Sequence, residues 1–566
     1  MRVADYIARF LERQGVTDVF MLSGTGSIYL DDALLLNGTL RYTCARHEAA
    51  AVVMAEASAR MKCGLGCAVV TTGPGGVNAI GGLVEAWVDS CPVLVISGQV
   101  ERRHYVAGTR AFGVQGFDIV EIARGMTKYA SRVTVPERIR YHLERAAHLA
   151  TSGRPGPVWL DIPMDVQRAV IDPEGLEGFE PDHADARPAI AASSLDADLE
   201  AIVGSLQASR RPLIILGQGV RQAQAVDSFL RLLEVTGAPF VSSRLALDVV
   251  SFAHPQHMGL GGIRGRRHVM RLMRQCDFAL SLGASLSPAF VGENFDAFAP
   301  GTTVVMVDLD PAETSKAGVP VARRVHHDVK SVIEGLLSRI PRDGSPKPRA
   351  WLEHCQAEKQ CHPTVIDLYR GDPINSYHFI ERLEDHSGPG DVFVSDAGGS
   401  YYCTGQVLRF ERRQRELTSG TFASMGVALP LAIGAAATDR NARILVVTGD
   451  GSIELHIQEL KTVSQAQLTI KVFVINNGGY ASIRDSQDAA CGGRYTDHCE
   501  PLDFRKVAAA FGLSYHLLQR EEELDAHLPA ILAEPGPALI EVACDRAQEM
   551  IRPLDWTAIH DGEEPQ

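Results

Sequence analysis

Two neighbouring stretches near the C-terminal end decide the fold: RILVVTGDGS at residues 443–452 and KVFVINNGGY at residues 471–480. Each begins as an apolar run typical of a buried strand and ends in a glycine-rich loop. Between them, apolar residues recur at helical spacing, at Ile453, Ile457 and Leu460. The pattern predicts two parallel strands joined by a crossover helix, which is the repeating unit of an α/β sheet.

A carboxylate and a carboxamide lie where these two strands end. Asp450 follows the first strand and Asn477 follows the second. In open α/β sheets this edge is where ligands bind. Side-chain oxygens of Asp and Asn, together with a loop carbonyl, make an oxygen-only site that suits Mg²⁺. The glycines allow backbone amides and a helix N-terminus to approach phosphate groups. The stretch therefore predicts a site for Mg²⁺ and a diphosphate.

The spacing of Asp450 and Asn477 resembles the thiamine diphosphate (ThDP) binding motif, in which G-D-G-S is followed, after a helix and a strand, by N-N. The resemblance implies ThDP and Mg²⁺ as cofactors, with Asp450, Asn477 and the carbonyl of Gly479 as metal ligands. It also implies cofactor contacts at the motif residues Gly449, Gly451, Ser452, Asn477 and Tyr480. The alternative is an ordinary β-turn that lies near an unrelated Asn-Gly turn.

Glu48 is the candidate for activating the cofactor. It lies in RHEAA at residues 46–50, after a short predicted strand and at the start of an alanine-rich helix. In the ThDP family, a glutamate at such a position hydrogen-bonds the pyrimidine ring of the cofactor and promotes loss of the weakly acidic thiazolium proton. The alternative is an exposed glutamate at a helix start, where the helix dipole favours it.

A glycine-rich turn in the first block also resembles this family. TTGPGGVNA at residues 71–79 follows a predicted strand and begins a helix. Together with AWVDS at residues 86–90 it is very similar to the first domain of acetolactate-synthase-type enzymes. The resemblance implies that Gly73 and Asn78 contact the cofactor. On its own, the stretch would be any glycine-rich strand-to-helix turn.

The segment SGTFASMGVALP at residues 419–430 resembles the family's segment beneath the cofactor. The resemblance implies that Met425 props the two cofactor rings against each other. It also implies that the carbonyl of Ala423 accepts a hydrogen bond from the pyrimidine amine. Simple core packing is the alternative for Met425.

The residues expected in the substrate pocket differ from those of acetolactate synthases. Gln115 matches a glutamine of those enzymes, whereas Gly116 stands where they have glutamate. Thr25 lies in a segment where they carry Y-P-G-G-A. Gln115 and Thr25 are therefore candidate pocket residues beside Glu48, and the differences favour a specialised acceptor. GYASIRDSQ at residues 479–487 resembles homologues from sugar and surface-polysaccharide pathways.

Composition places the chain among globular proteins with several domains. Its 566 residues exceed a single core. A formal net charge of −14 argues against a nucleic-acid or acidic-membrane partner. No apolar run approaches the ~20 residues that span a bilayer, and the N-terminus has no signal-peptide core. The cysteines lack zinc-like spacing, so we expect reduced thiols in a cytoplasmic protein.

Three α/β blocks separate at changes in composition, and each is predicted to be a doubly wound parallel sheet. The resemblance assigns a pyrimidine-binding domain at 1–167, a linker at 168–193, a central Rossmann-like domain at 194–340, a second linker at 341–365 and a diphosphate-binding domain at 366–566. The central domain of acetolactate synthases binds FAD. Here the loop at 282–287 lacks the arginine of the flavin-binding relatives, so FAD remains an alternative that the sequence does not favour.

Together these features predict a ThDP- and Mg²⁺-dependent carboligase, acting as a lyase or transferase. It would decarboxylate a 2-keto acid, with pyruvate as the expected donor, and transfer the acyl unit to a carbonyl acceptor. Three rivals stay open: a simple 2-keto acid decarboxylase or C–C hydrolase, a non-catalytic ThDP-fold subunit, and a dehydrogenase that only the turn at Gly217 favours. In this family Glu48 of one subunit faces the diphosphate site of another. The resemblance thus implies a homodimer or homotetramer with active sites at the subunit interface.

Overall fold

The computed structural model describes residues 1–181, 195–292, 298–316, 318–341, 348–493 and 500–551. Within these ranges the chain forms three six-stranded sheets in which every paired strand is parallel. Helices alternate with the strands throughout. The predicted class, three doubly wound α/β domains, is confirmed. Residues 182–193 of the predicted first linker and residues 552–566 of the predicted last domain lie outside the described residues.

The N-terminal domain is built on six parallel strands. They are β1 (Asp18–Leu22), β2 (Arg41–Cys44), β3 (Gly66–Val70), β4 (Val93–Gln99), β5 (Tyr129–Arg132) and β6 (Val158–Pro163), in the order β2-β1-β3-β4-β6-β5. The helices are α1 (Val3–Arg13), α2 (Ile28–Asn37), α3 (Glu48–Lys62), α4 (Pro74–Val88), α5 (Ile119–Ala123), α6 (Ile139–Thr151) and α7 (Met164–Gln167). Alternate residues of β3 enter two different hydrophobic cores, Ala68 with α3 and α4 and Val69 with α1 and α6. The sheet is therefore covered on both faces.

The central domain has the strand order of a dinucleotide-binding fold. Its strands are β7 (Pro212–Leu216), β8 (Phe240–Ser242), β9 (His257–Leu260), β10 (Phe278–Leu282), β11 (Thr303–Val307) and β12 (Arg323–Val325). Its helices are α8 (Leu195–Ala208), α9 (Gly219–Gln222), α10 (Val226–Thr236), α11 (Arg267–Gln275), α12 (Pro288–Val291), α13 (Pro311–Thr314) and α14 (Val329–Arg339). The order β12-β11-β10-β7-β8-β9 reverses direction between β7 and β10, as in Rossmann folds.

A helix, α15 (Arg349–Cys361), occupies most of the segment predicted as the second linker. Its Trp351 is buried, and the indole Nε1 donates to the carbonyl of Pro212 at 3.0 Å. Lys359 donates to the carbonyls of Phe252 and His257 at 2.8 and 2.9 Å. These contacts attach α15 to the central domain, so the segment is structured rather than a simple connection.

The C-terminal domain repeats the topology of the N-terminal one. Its strands are β13 (Val392–Ser395), β14 (Arg415–Thr418), β15 (Ile444–Gly449), β16 (Ile470–Asn476), β17 (Ser514–Leu518) and β18 (Ala538–Ala543). Its helices are α16 (Ser376–His386), α17 (Gly398–Val407), α18 (Ala428–Thr438), α19 (Leu460–Gln465), α20 (Ala481–Cys491), α21 (Phe504–Phe511) and α22 (Glu521–Ala533). The order β14-β13-β15-β16-β18-β17 matches the N-terminal sheet strand for strand.

The N-terminal and C-terminal domains share one hydrophobic core. Helices α3 and α18 pack against each other in it, and α18 is buried from Ala428 to Ala437. A Cβ atom added at Gly434 would lie 2.3 Å from the carbonyl oxygen of Met54, so the two backbones approach too closely for any side chain. Among the helices in the described ranges, none has both the length and the apolar character needed to cross a membrane.

The predicted crossover helix between β15 and β16 is broken into two pieces. Residues 453–459 form a 3₁₀ helix, and α19 follows. The break lies at His456, whose φ of −133° is not helical. The ring Nδ1 of His456 hydrogen-bonds the carbonyl of Gly426 at 3.0 Å. That contact holds the break close to the start of α18, whereas the regular spacing of apolar residues predicts one continuous helix.

Candidate active site

Asp450 ties together the two loops that the sequence motif predicts. It is 3% exposed and follows β15. Its Oδ2 accepts hydrogen bonds from the backbone amides of Gly479 at 2.8 Å and Asn477 at 3.1 Å, and its Oδ1 accepts from the amide of Gly451 at 2.8 Å. The carboxylate thereby fixes the loop after β16 against the end of β15. The interpretation as two unrelated turns is wrong.

The loop after β16 has an unusual backbone that is held from outside. Gly478 and Gly479 both have φ of +82°, a left-handed conformation that glycine adopts readily. Tyr480 has φ of +30°, and its ring fills the space where Gly451 has no side chain. The buried Arg484 donates to the carbonyls of Gly478 at 2.5 Å and Asn477 at 3.0 Å. Arg484 was not among the predicted site residues, although the sequence pattern after Asn477 contains it.

The chemistry at this edge suits a hard cation. Asp450, the Asn477 side chain and the Gly479 carbonyl offer one carboxylate and two neutral oxygens, as Mg²⁺ sites do when phosphates complete them. Burial, and to a smaller extent the neighbouring Asp450 charge, raises the pKa of Glu454. Within the described residues, no cluster of three or more His, Cys, Asp or Glu side chains could hold a metal. Such a cluster is not needed for this type of donor set.

Asp396, which follows β13, is a second buried carboxylate at the same edge, and sequence reasoning missed it. Its Oδ2 accepts from Ser452 Oγ at 2.6 Å, from the amide of Gly426 at 3.1 Å and from Thr448 Oγ1 at 3.1 Å. Burial raises the pKa of Asp396. Ser452 also accepts from the Gly426 amide at 2.9 Å. Asp396 and Ser452 therefore connect Gly449–Ser452 to the segment that carries Met425.

The segment at 419–426 has the left-handed residues Ala423, with φ of +49°, and Gly426, with φ of +82°. Met425 is only half-buried and is absent from the hydrophobic cores. This half-buried position does not favour simple core packing, the alternative for this methionine. The apolar side chains of Phe422 and Leu455 lie exposed near it. The segment thus presents an apolar, partly open surface at the carboxyl edge of the C-terminal sheet.

Glu48 is buried, with 6% of its surface exposed, and begins α3. Asn78 Nδ2 donates to Glu48 Oε2 at 3.0 Å. A Cβ atom at Gly75 would lie 3.4 Å from Glu48 Oε1, so the glycine-rich turn packs closely on the carboxylate. The alternative, an exposed glutamate at a helix start, is wrong. Glu48 and Asn78 form a defined pair at the carboxyl edge of the N-terminal sheet.

The structure also brings the predicted pocket residues to this edge. A Cβ atom at Gly73 would lie 2.1 Å from the carbonyl oxygen of Gln115, which places the Gln115 loop directly on the glycine turn. The amide of Gly26, next to Thr25, donates to Thr71 Oγ1 at 3.1 Å. The side chains of Gln115 and Thr25 are exposed. Thr25, Glu48, Gly73, Asn78 and Gln115 therefore form the N-terminal half of the candidate site.

Within one chain, the N-terminal and C-terminal half-sites contact each other through residues next to Glu48 and not through the Glu48 side chain. The amide of Arg46 donates to Glu459 Oε1 at 2.7 Å, and the rings of His47 and His456 lie 5.9 Å apart, edge to face. Among the described residues, the hydrogen-bond partner of the Glu48 side chain is Asn78, from its own domain. Each half-site is therefore formed within one chain, one at the edge of the N-terminal sheet and the other at the edge of the C-terminal sheet.

A cavity of about 770 Å³ lies where the three domains meet. The carboxyl edge of the central sheet lines it at Gly219 and Gly283, and the C-terminal domain lines it at residues 420, 421 and 423. Three arginines reach it from other segments: Arg154, Arg244 and Arg264. Burial raises the pKa of Asp308, another lining residue, to about 6. The absence of arginine from the loop at 282–287 does not by itself make this cavity unsuitable for an anionic ligand.

The turn at Gly217 has a packing explanation. A Cβ atom at Gly217 would lie 1.9 Å from the carbonyl oxygen of Gly283, so the two glycine loops touch through their backbones. The amide of Gly219 donates to the same carbonyl at 3.1 Å. The short G-x-G is therefore accounted for by loop packing, and it gives no separate support to a dehydrogenase.

Comparison with known proteins agrees with this geometry. Three family models match: the N-terminal TPP binding domain of thiamine pyrophosphate enzymes at residues 1–122, the central domain at 199–336 and the C-terminal TPP binding domain at 396–542. Thiamine pyrophosphate is another name for ThDP. The chain belongs to the thiamine pyrophosphate enzyme family, and it is a ThDP-dependent enzyme.

Its relatives include acetolactate synthases. The acetolactate synthase isozyme 1 large subunit of Escherichia coli is 31% identical over 562 residues, which cover 97% of this chain and 95% of the relative. The isozyme 2 large subunit of the same organism is 30% identical, with 97% of each chain covered. Acetolactate synthase 1 of Nicotiana tabacum is 29% identical over 97% of this chain and 83% of its own length. The chain is acetolactate synthase-like over nearly its full length.

Proposed function

We propose that this enzyme is a Mg²⁺-dependent carboligase that decarboxylates a 2-keto acid, with pyruvate as donor, and transfers the acyl unit to a carbonyl acceptor. The observation that carries the proposal is the pair of formed half-sites, the Asp450 loop and the Glu48–Asn78 pair, in a chain whose relatives are named acetolactate synthases. When bound, ThDP supplies a nucleophilic carbon and an electron sink for the decarboxylation.

Different residues of the chain would bind the metal, the cofactor and the substrate. Asp450, Asn477 and the carbonyl of Gly479 would hold Mg²⁺, while Gly449, Gly451, Ser452 and Tyr480 would surround the diphosphate. Glu48 would exchange a proton with the pyrimidine ring, and its burial beside Asn78 fixes its orientation. Ala423 and Met425 would orient the ring system, with Gly73 and Asn78 on its other side. Gln115 and Thr25 would contact the substrate.

The first experiment combines the purified protein with ThDP, Mg²⁺ and pyruvate, with and without a panel of ketone and ketosugar acceptors. Release of carbon dioxide and product mass are followed together. We expect release that depends on the acceptor and yields an acyl adduct, because the Gly116 and Thr25 positions differ from those of acetolactate synthases. Formation of acetolactate from pyruvate alone would refute the specialised acceptor and leave the carboligase in place.

The same assay separates the rival functions. A simple decarboxylase would release free aldehyde without a ligated product, and a C–C hydrolase would cleave a diketone instead of joining two carbonyl compounds. A non-catalytic subunit would bind ThDP without turnover of any donor. The buried Glu48 and the hydrogen-bonded Asp450 favour a catalytic role. Substituting Glu48→Gln should abolish turnover while ThDP binding persists, which a silent subunit could not show.

We also propose a homodimer, or a homotetramer built from such dimers, in which Glu48 of one chain completes the diphosphate site of its partner. Exposed apolar side chains on both half-sites support this: Val77 and Val114 on one, and Phe422, Leu455 and Ile483 on the other. A Glu48→Gln chain and an Asp450→Ala chain, co-purified as a mixed dimer, test it. If the site is shared between chains, one of the two sites is intact and about half the activity returns. If each chain forms its own site, the mixed dimer stays inactive.

We further propose that FAD is not the favoured ligand of the central domain. The three-domain cavity has room for a nucleotide, and its arginines would accept a phosphate, so the cavity alone does not decide the question. The sequence expectation rests on the loop at 282–287. A flavin absorption spectrum in the purified protein, released on denaturation, would overturn it.

A cytoplasmic location is the last part of the proposal. The cysteines in the described ranges are all unpaired, which suits a reducing compartment. Fractionation of the producing cells would test it, and recovery of the protein with the envelope fraction would contradict it.

A further inference from the structure

Helix α4 carries carboxylates that the proposed mechanism does not use. Glu85 lies in its last turn and Asp89 directly follows it, four residues later and on the same face. Both are buried, at 1% and 4% exposure. Arg60 of α3 pairs with Glu56 at 3.3 Å and with Asp89 at 3.8 Å, and Glu85 lies close enough to interact electrostatically with both of these carboxyl groups. Burial raises the pKa of Glu56 to about 8 and that of Asp89 to about 7. Such a cluster is unfavourable for folding and calls for a functional reason.

The cluster faces the segment at 419–426 of the C-terminal domain. Ser424 Oγ donates to Glu85 Oε2 at 2.6 Å, and the amide of Gly420 donates to Asp89 Oδ2 at 2.8 Å. Arg60 Nη1 donates to the carbonyl of Thr418 at 2.7 Å. Three hydrogen bonds from α3 and α4 thus reach residues 418–424 in sequence. A Cβ atom at Gly420 would lie 2.3 Å from Asp89 Oδ1, so only glycine permits this approach.

The held segment is strained where the cofactor is expected. Ala423 has φ of +49°, a left-handed conformation that is unfavourable for a residue with a side chain and persists when neighbouring contacts enforce it. The contacts of Gly420 and Ser424 lie on either side of Ala423. On the far side, Gly426 is held by Asp396 and Ser452. These contacts on both sides of Ala423 therefore fix the backbone conformation that orients its carbonyl.

We propose that Glu85 and Asp89 are positioning residues for the cofactor: they hold the Gly420–Ser424 segment so that Ala423 and Met425 meet the pyrimidine ring in the correct orientation. The inference rests on the proposed contacts of Ala423 and Met425 and not on the identity of the substrate. It also assigns helix α4 two tasks. About two turns before Glu85, the same helix contacts Glu48 through Asn78.

The test compares Glu85→Ala, Glu85→Gln, Ser424→Ala and Asp89→Ala, and it has two readouts that need no turnover. One is hydrogen exchange of the amides at 418–426 in the apoprotein, and the other is calorimetric ThDP affinity in the presence of Mg²⁺. Ser209→Ala is the matched control, because Ser209 also donates its hydroxyl to a carboxylate, Asp277, but in the central domain.

Glu85→Ala and Ser424→Ala should each weaken ThDP binding about tenfold, as loss of one hydrogen bond to a charged acceptor predicts. Asp89→Ala should accelerate exchange of the Gly420 amide by a similar factor. Glu85→Gln keeps an oxygen for Ser424 and should restore most of the affinity. Ser209→Ala should change neither readout.

A drop in melting temperature without any change in ThDP affinity or in exchange at 418–426 would overturn the proposal, since Glu85 would then be merely structural. If Glu85→Ala does not fold, Ser424→Ala decides the question. It removes the same hydrogen bond, and Ser424 is only half-buried, so its replacement perturbs the core less. If the wild-type protein binds no ThDP, the proposed function fails, whereas the exchange experiment still reports whether α4 holds the segment.

Discussion

Replacing Asp396 with alanine removes the acceptor that joins three pieces of the C-terminal half-site. Its carboxylate accepts from Ser452, Thr448 and the amide of Gly426, and none of its surface is exposed. A hydrogen bond to a charged group contributes about 1.5–3 kcal/mol, and an orphaned buried donor costs about 1–3 kcal/mol. The two hydroxyls can rotate, and Gly426 keeps Ser452 as an acceptor. We therefore expect a loss of about 3 kcal/mol in the free energy of unfolding of the C-terminal domain.

The assay is thermal unfolding of the apoprotein together with a ThDP titration. At about 2–4 °C for each kcal/mol in a domain of roughly 200 residues, the C-terminal transition should fall by about 6–12 °C. ThDP affinity should drop at least tenfold as well, because Ser452 and Gly426 lose their common anchor. Two probes are needed, since a chain of three domains need not unfold in one step.

Ser400→Ala is the control for this prediction. Ser400 also touches Asp396, but at 3.3 Å, and its hydroxyl donates in addition to the carbonyl of Ala397 at 2.8 Å. It should shift the transition by less than about 1 kcal/mol. Asp396→Asn retains one oxygen and should fall between the two. The reasoning is refuted if Asp396→Ala unfolds with the wild type and binds ThDP equally well.

Three further changes test other parts of the structure. Arg484→Met removes both donors to the loop carbonyls of Asn477 and Gly478, so the Mg²⁺ concentration for half-maximal ThDP binding should rise about tenfold; an unchanged titration would contradict this. Gly434→Ala should lower the free energy of unfolding by about 1–3 kcal/mol in denaturant unfolding, because α3 leaves no room for a Cβ atom. The matched control is Gly204→Ala, where an added Cβ atom meets nothing within 4 Å, and it should raise the free energy of unfolding by up to about 1 kcal/mol. Burial raises the pKa of Glu56 from 4.5 to about 8, so the folded chain binds the Glu56 proton more tightly than the unfolded chain does. The stability contributed by this proton is present below about pH 4.5 and is lost as the pH rises to about 8. Melting temperatures from about pH 5 to 8 should therefore fall less steeply in Glu56→Gln than in the wild type, and equal slopes would refute the assignment.

Local sequence was enough to predict those parts of the site that lie in one strand–loop–helix unit. Asp450 and Asn477 follow adjacent strands with a recognisable spacing, so their meeting could be predicted. Asp396 could not be, because it follows a strand as an isolated carboxylate and its partners lie 30 to 56 residues further along the chain. Arg484 lies within the stretch 479–487 that drew attention, but its burial could not be predicted, since its neighbours on α20 are mostly polar and exposed.

The fold class could be predicted from the sequence, whereas the strand order could not. Apolar runs bounded by glycine and proline identify buried strands, and they predicted all three blocks. The identical strand order of the first and third sheets could not be predicted from the faint similarity of their sequences, because each sheet needs only apolar strands and loops of suitable length. Similarly, the polar residues that precede α15 predict a linker, while the helix itself is fixed by the contact of Trp351 with the central domain.

The shared topology bears on the proposal that the active site is formed by two chains. Each terminal sheet presents a half-site at its carboxyl edge, one with Glu48 and one with Asp450. Within one chain, α3 and α18 already pack the two sheets together so closely that Gly434 has no room for a side chain. That packing leaves exposed apolar residues on both half-sites, such as Val114 and Phe422. A two-fold contact between copies would cover both surfaces at once and would form two equivalent sites from a single interface. Folding and catalysis would then use different faces of the same pair of domains, which is what the mixed-dimer experiment examines.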